Sequence, residues 1–408
     1  MNRVNVIGMG YIGLPTALAL VNGGVEVVGT DYNESLIQSL QEGRITFKEK
    51  GLEEMFQAAI KRGILFSTQY ERTNTYIISV PTPYVKETKR IDAKYVISAV
   101  EQVLAICERG TILVIESTIS PGTIDKHIRP IVIEKGFEIG KDIHIVHAPE
   151  RILPGNMLYE LQHNARTIGA DSREIGEKIK ELYQSFCRAE ITITDIKSAE
   201  MTKVVENTYR DINIAFANEL AKICRAAGVD VYEIIQIANK HPRVNILSPG
   251  PGVGGHCISV DPWFLVGDYP ELTKLISAAR EVNDKMPDYV LDRILEVMQE
   301  ANLNDYSKVG LYGLTYKEDV DDIRESPTLQ LLSYMKGRGL SGFRVYDPYI
   351  SNDIVENQVH GLDTFLDQIE LVVIMVGHKE IKEHLYKLEN VKILDTRRVG
   401  CGKQCYYL

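Results

Sequence analysis

The sequence predicts an α/β fold: two parallel-sheet domains joined by a central helical domain that carries one long helix. Three observations lead there. Val4 to Ile7 is an apolar run that breaks into Gly8-Met9-Gly10-Tyr11-Ile12-Gly13 and then into helical character from Leu14 to Val21, with strand-like and helical stretches alternating after it. Ser198 to Ala227 is helical in pattern, contains no proline and outruns an ordinary helix. Strand-length runs then return at Lys308 to Leu314, Phe343 to Tyr346, Leu371 to Val376 and Val391 to Leu394. The predicted boundaries are 1–190, 191–302 and 303–408, in keeping with the roughly two or three domains expected of 408 residues.

Composition narrows the class. Hydrophobic residues make up 44% of the chain and charged residues 25%, which suits a globular protein with a substantial core. A formal charge of −10 disfavours nucleic acid and anionic membranes as partners, since both select a basic face, but leaves room for a local basic pocket around a phosphorylated ligand. The apolar runs fall far short of the ~20 residues that cross a bilayer, so no membrane span is expected. Met1-Asn2-Arg3 leads straight into the glycine-punctuated strand without the features of a signal peptide, and the expected location is the cytoplasm. Six cysteines without paired spacing suit a reducing compartment and give no metal site; Cys401 and Cys405 fit a solvated tail better than a metal or redox pair.

In the first domain the glycine run reads as strand, tight turn, helix. Gly8 permits the turn, Gly10 lets the backbone approach a pyrophosphate, and Gly13 allows close packing of helix on strand. The pattern alone is weak, but a second strand, Glu26 to Thr30, ends in Asp31 about 20 residues on, where an acid hydrogen-bonds an adenosine ribose and repels a 2′-phosphate. A Rossmann-like domain binding NAD rather than NADP follows. Further strands are expected at Thr75 to Val80, Ile112 to Glu116 and Ile143 to Val146, with a helix over Ala93 to Cys107. Ligands in such sheets sit beyond the carboxyl ends of the strands, which makes Thr82 and Thr118 candidates to touch the cofactor, or else turn residues capping a helix. Glu150 and Arg151, after the strand ending near Val146, are either an ion pair or a general base beside an anion clamp.

Along the long helix Lys203, Asn207 and Arg210 recur at spacings of four and three, which places them on one face. That face is a solvated stripe or the wall of a site. A second helix, Val229 to Asn239, leads to His241-Pro242-Arg243 and then to Pro249-Gly250-Pro251-Gly252-Val253-Gly254-Gly255-His256-Cys257. So much glycine and proline excludes helix and strand and presents the thiol at the end of the loop. A free cysteine is more often a small buried hydrophobe than a nucleophile. Asp261 follows four residues later. Leu272 to Ala301 reads as a long helical region interrupted by Pro287. The last domain reads as a shorter nucleotide-binding sheet with a helix from Ser326 to Gly339, and Lys317 and Arg324 stand in its acidic first loop as candidate local ion-pair partners.

The motifs GMGYIGLP, VPTP, ESTISPGT, APERILPG, EMTKVVENTYRDINIAFANEL, GPGVGGHCISVDP and LTYKEDVDDIRESP occur in the order found in the UDP-glucose/GDP-mannose dehydrogenase family, which the chain resembles from Val4 to about Arg398. TYRDINIAFANEL together with HPRVNILSPGPGVGGHC is most similar to the members that oxidise UDP-N-acetyl-D-mannosamine to the uronate with two NAD and one water. The resemblance implies a four-electron oxidation through a thiohemiacetal and a thioester on Cys257. It implies that Lys203 exchanges the proton with Asn207 beside it, and that Asp261 or Glu150 activates water. It further implies substrate contacts from Arg151, Ile152, Arg210, His241, Arg243, Gly254, Tyr316 and Lys317, with Arg397 or Arg398 added. NAD contacts would come from Tyr11, Ile12, Asp31, Thr82, Thr118 and Arg324. A homodimer or higher homo-oligomer built on the long helices is implied too, with His241 and Arg243 reaching across it. Three rivals remain: a UDP-glucose or UDP-N-acetylglucosamine 6-dehydrogenase, a two-electron β-hydroxyacid dehydrogenase with no use for the cysteine, and a non-catalytic nucleotide-sugar sensor.

Overall fold

The structure, a computed structural model, describes residues 3–400 and 405–408. Cys401 lies outside the described residues, and Cys405, expected in a solvated tail, is instead half-buried at the start of a strand and disulfide-bonded. The chain forms two compact units: residues 1–206 with 263–269, and residues 207–262 with 270–408. The helical middle read from the sequence as a domain of its own is shared out between them.

The first unit is built on an eight-stranded sheet. Its strands are β1 (Val4–Ile7), β2 (Val27–Thr30), β3 (Leu65–Ser67), β4 (Thr75–Ile78), β5 (Thr111–Ile115), β6 (Ile143–His147), β7 (Arg166–Ala170) and β8 (Ile191–Thr194), in the order β3-β2-β1-β4-β5-β6-β7-β8. The first six make the doubly wound order expected of a dinucleotide fold, with the switch point at β1 and β4. Every pair is parallel except β6 with β7, a departure from the all-parallel expectation. The apolar runs explain why both faces are covered. In β5, Ile112 and Val114 pack with Leu14, Leu18 and Ile77, whereas Leu113 and Ile115 pack on the opposite face with Tyr76, Ile78 and Val100.

The second unit carries a five-stranded parallel sheet. Its strands β9 (Val309–Tyr312), β10 (Arg344–Tyr346), β11 (Leu371–Ile374), β12 (Lys392–Asp395) and β13 (Cys405–Tyr407) run in the order β10-β9-β11-β12-β13. The helix Pro327–Gly337 follows β9, and Ser326 caps it by accepting from the amides of Thr328 and Leu329.

The long helix spans Ile196–Ala227, 32 residues. Asp195 caps its start, its carboxylate accepting from Ser198 N at 2.9 Å. Gly228, at φ +71°, ends it in the left-handed region where a Cβ would be strained. Pro287 proves not to be the interruption expected. The helix Lys274–Asp284 stops first, and Pro287 sits in the opening turn of the next, Met286–Glu300, where its missing amide costs nothing. Strands β3, β7, β8 and β13 escape the sequence reading. β3 and β13 have three residues each, β8 is only partly buried, and β7 opens with a buried arginine that reads as a surface residue.

Candidate active site

In the first unit the turn after β1 has the shape a dinucleotide needs. A Cβ on Gly8, at φ +94°, would stand 2.2 Å from Ser79 O, and one on Gly13 would stand 1.8 Å from Gly8 O, so neither position accepts a side chain. Nothing lies within 4 Å of a Cβ on Gly10, which leaves open space where the sequence reading expects a pyrophosphate. Asp31, at the end of β2, accepts from Met9 N at 2.8 Å and from Asn33 N at 2.9 Å, so its carboxylate stands across the glycine turn. Tyr11 packs on Phe47 with ring centroids 4.3 Å apart, and Ile12 immediately precedes the helix Gly13–Asn22. Thr82 is buried after β4 and Thr118 half-buried after β5. Ser117 ties those two strand ends together, accepting from Val80 N at 2.8 Å and donating to Val80 O at 2.7 Å. These residues fit NAD, which would lie along Gly10 with its ribose at Asp31.

Glu150 and Arg151 turn out not to pair with each other through their side chains. The Glu150 carboxylate accepts from Arg151 N at 2.6 Å and forms a buried ion pair with Arg166 of β7. The Arg151 guanidinium donates to Ala165 O at 2.6 Å and Thr167 Oγ1 at 3.0 Å and pairs with Glu206. Ile152 is buried in the core beside them. Lys203 is also buried, and among the described residues no hydrogen bond or ion pair engages its ammonium. Buried lysines are ordinarily paired, so an unpaired one is a group kept for another purpose.

In the second unit the cysteine loop is fastened to the long helix by a row of amide side chains that the sequence reading missed. Asn213 Oδ1 accepts from Leu247 N at 2.9 Å, Asn218 Oδ1 accepts from Gly250 N at 2.9 Å, and Asn207 donates to the Asp261 carboxylate at 2.6 Å. Spacings of Asn along a helix were the available signal. Behind the row a buried ion pair joins Asp211 to Arg280 at 2.6 Å, and Asn283 donates both to Asp211 and, at its other side, receives from Asn218 at 2.9 Å. Burial pushes the Asp211 carboxyl above its usual range, with Arg280 opposing it.

The loop's glycines are there for close approach. A Cβ on Gly254 would meet Glu325 O and Tyr316 Cβ, each at 2.6 Å, and one on Gly255 would meet the Tyr316 ring at 2.8 Å. Gly255 N donates to Arg324 O at 2.9 Å. The sequence-predicted Gly254, Tyr316 and Arg324 are therefore brought together, with Lys317 next in the chain. Cys257 ends the loop as a half-buried thiol outside any disulfide, and its carbonyl accepts from Val260 N and Asp261 N as the helix Asp261–Asp268 begins. By contrast Cys187 and Cys224 are buried, and burial pushes the Cys107 thiol up.

Several predicted contacts have other partners in this structure. Arg324 grips Asp322 through three hydrogen bonds of 2.6 to 3.1 Å, as the local ion-pair reading anticipated. Arg398 pairs with Asp230 at 2.7 Å and lies over the rings of Tyr232 and Tyr407. Arg397 is the half-buried member of that doublet and Arg398 the exposed one; Arg397 donates to Met375 O at 3.0 Å and lies against Gly250. Arg210 is half-buried on the long helix, and His241 and Arg243 are exposed on the turn after the helix Val231–Ala238. Among the described residues no group of His, Cys, Asp and Glu is arranged to hold a metal ion, and no helix is long and apolar enough to cross a membrane.

A dinucleotide turn with an acid at its ribose position, a second nucleotide-type sheet, an unpaired lysine and a presented thiol define a nucleotide-dependent oxidoreductase. The particular family follows from comparison with known proteins. The models of the UDP-glucose/GDP-mannose dehydrogenase family match in series: the NAD binding domain over residues 2–187, the central domain over 197–285 and the UDP binding domain over 310–400. The chain belongs to that family. It is 42% identical to the UDP-N-acetyl-D-mannosamine dehydrogenase of Methanococcus vannielii over 98% of this chain and 93% of that one. It is 39% identical to the NDP-N-acetyl-D-galactosaminuronic acid dehydrogenase of Ralstonia nicotianae, covering 98% and 97%. The native structure of the UDP-N-acetyl-mannosamine dehydrogenase Cap5O from Staphylococcus aureus has a TM-score of 0.88 to it at 40% identity, covering 100% and 97%.

Proposed function

We propose that the protein oxidises the C6 alcohol of UDP-N-acetyl-D-mannosamine to the carboxylate by way of a thioester on Cys257. The observation that carries this reading is a half-buried thiol, outside any disulfide, at the end of a loop whose glycines are pressed onto Tyr316 and Glu325 of the UDP-binding segment. A two-electron dehydrogenase has no use for that arrangement. The identity of 42% to an enzyme of that name supports the choice of sugar.

Bound NAD supplies the acceptor for a hydride in each of two oxidations. Lys203, entering the step as the neutral amine, takes the proton of the C6 hydroxyl as the first hydride leaves and becomes the ammonium. The Cys257 sulfur adds to the resulting aldehyde, its proton passing to the new oxygen. Loss of that proton and a second hydride leaves a thioester. Water then attacks the acyl carbon. Glu150 takes one of the water's protons, the C–S bond breaks, and the other proton passes to the leaving sulfur, which restores the thiol as the carboxylate product departs. Asn207, held by Asp261, donates to the substrate oxygen on which charge develops. Arg397, rather than Arg398, supplies the basic contact near the loop.

Functionally the chain divides as 1–190 for NAD, 191–302 for the catalytic lysine and cysteine loop, and 303–408 for UDP. We further infer a homodimer. Tyr209, Phe216 and Ile223 repeat every seven residues on the long helix and are 61%, 53% and 60% exposed, an apolar stripe suited to a second copy of itself. His241 and Arg243, exposed in one copy, are available to the other.

The test is product identification by mass spectrometry with NADH counted alongside. Two NADH per molecule of UDP-N-acetyl-D-mannosaminuronate are expected. Turnover of UDP-N-acetylgalactosamine derivatives alone would move the assignment toward the Ralstonia relative, and one NADH per product would overturn the mechanism.

A further inference from the structure

Behind Glu150 lies a buried cluster to which the steps above give no role. Glu116, at the end of β5, is 1% exposed. Its Oε1 accepts from Tyr183 Oη at 3.0 Å and from Thr16 Oγ1 at 3.4 Å, while its Oε2 is buried with no partner among the described residues. Arg166, equally buried, lies over the Tyr183 ring at 4.6 Å and the Phe186 ring at 5.1 Å and gives its charge to Glu150. Tyr183 therefore stands between the two acids, its hydroxyl donating to Glu116 and its ring carrying the guanidinium that pairs with Glu150, and all four groups share one buried cluster.

We propose that Glu116 is a positioning residue that acts on Glu150 through Arg166. The proposal rests on the reading that Glu150 activates the water that hydrolyses the thioester. Two acids buried in one cluster with a single cation, which Glu150 already holds, cannot both ionise cheaply. Burial, then the Glu150 charge, push the Glu116 carboxyl up to about 8, with Arg166, Tyr183 and Thr16 opposing. The other groups nearby do not compensate. His147 of β6 is held neutral by burial, its ring pushed down to about 3, and Tyr183 is driven well above its usual range. Cys187 faces Arg166 without forming a bridge. At neutral pH Glu116 keeps its proton, and the guanidinium is committed to Glu150. When Glu116 ionises, the guanidinium is shared, and Glu150 becomes the stronger acceptor for the water's proton.

The experiment measures thioester decay directly, by rapid quench and intact mass of the acyl-enzyme, from about pH 6.5 to 9.5. The wild-type decay rate should rise through about pH 8, by up to roughly tenfold per unit in the rising limb. Glu116→Gln, fixed neutral, should match the wild type near pH 6.5 and stay flat above it. A Gln variant with the wild-type rise would overturn the proposal. If that variant does not fold, Tyr183→Phe serves: losing the donor disfavours the Glu116 anion, so the rise should move upward by about one pH unit, and an unmoved rise would be fatal. Glu150→Gln separates the two readings. If it hydrolyses the thioester at the wild-type rate, the assignment of Glu150 itself is wrong. If it stalls while Glu116→Gln tracks the wild type, only the role of Glu116 is lost.

Discussion

Replacing Gly254 with alanine tests whether the cysteine loop works by close approach. The backbone there is not left-handed, so the only new element is a methyl group. It would sit 2.6 Å from Glu325 O and from Tyr316 Cβ, where 3.4 Å is an ordinary contact. The loop must retreat by about 0.8 Å, because Glu325, at φ +49°, is already held in a tight turn and cannot give way cheaply. A misplacement of about 1 Å costs roughly 100-fold in rate, or about 2.7 kcal/mol of transition-state stabilisation, and Cys257 is only three residues along. The expected kcat for NADH release is therefore about 30- to 100-fold below wild type, with a stability loss of about 1–3 kcal/mol. NAD affinity, which the reading assigns to the turn at Gly8 to Gly13 and to Asp31, should not change. Assays are steady-state NADH release with saturating sugar nucleotide, calorimetric NAD binding and denaturant unfolding. A Gly254→Ala enzyme with wild-type turnover would mean that the loop's packing has no bearing on the chemistry.

The same logic gives the opposite outcome at Gly10, where a methyl group meets only open space. Gly10→Ala should fold with unchanged unfolding free energy yet bind NAD at least about tenfold more weakly by titration calorimetry. Cys257→Ser should bind NAD normally but fail to release uronate, as followed by product mass, because an alkoxide ester does not form in place of the thioester. Arg280→Met leaves Asp211 buried without its cation and should cost about 3–5 kcal/mol in urea unfolding, partly recovered in the double variant that also carries Asp211→Leu. For Glu116 the sign is fixed by its raised pKa. The unfolded chain releases this proton near the ordinary glutamate value of 4.5 and the folded chain only near 8, so ionisation opposes folding. Wild-type stability relative to Glu116→Gln should fall as pH climbs from about 4.5 to 8 and level off above, as read by unfolding at stepped pH. Phe216→Lys should halve the mass seen by light scattering if the long-helix stripe joins two copies.

Much of this protein is written locally. Val4 to Ile7 is a strand because it is apolar throughout, and the glycines after it form a turn because no other residue fits there. The long helix runs where proline and glycine are absent, from the Asp195 cap to Gly228. The places of Asp31 at a strand end and of Cys257 at a loop end were likewise legible, one from its distance to a glycine turn and the other from the composition of its loop. Each of these signals needs only neighbours along the chain, since backbone dihedrals and side-chain periodicity are set over a few residues.

What folding alone decided is which charges meet. Glu150 and Arg151 stand side by side in sequence, yet Glu150 takes Arg166 from β7 and Arg151 takes Glu206. Arg397 and Arg398 look alike in the sequence, but one lies half-buried against Gly250 and the other lies over Tyr232 and Tyr407. Asn213 and Asn218 became anchors of a loop some 30 residues away. A buried charge or amide must find a partner, and burial comes from segments remote in the chain packing together, so no pattern of adjacent residues can name the partner in advance.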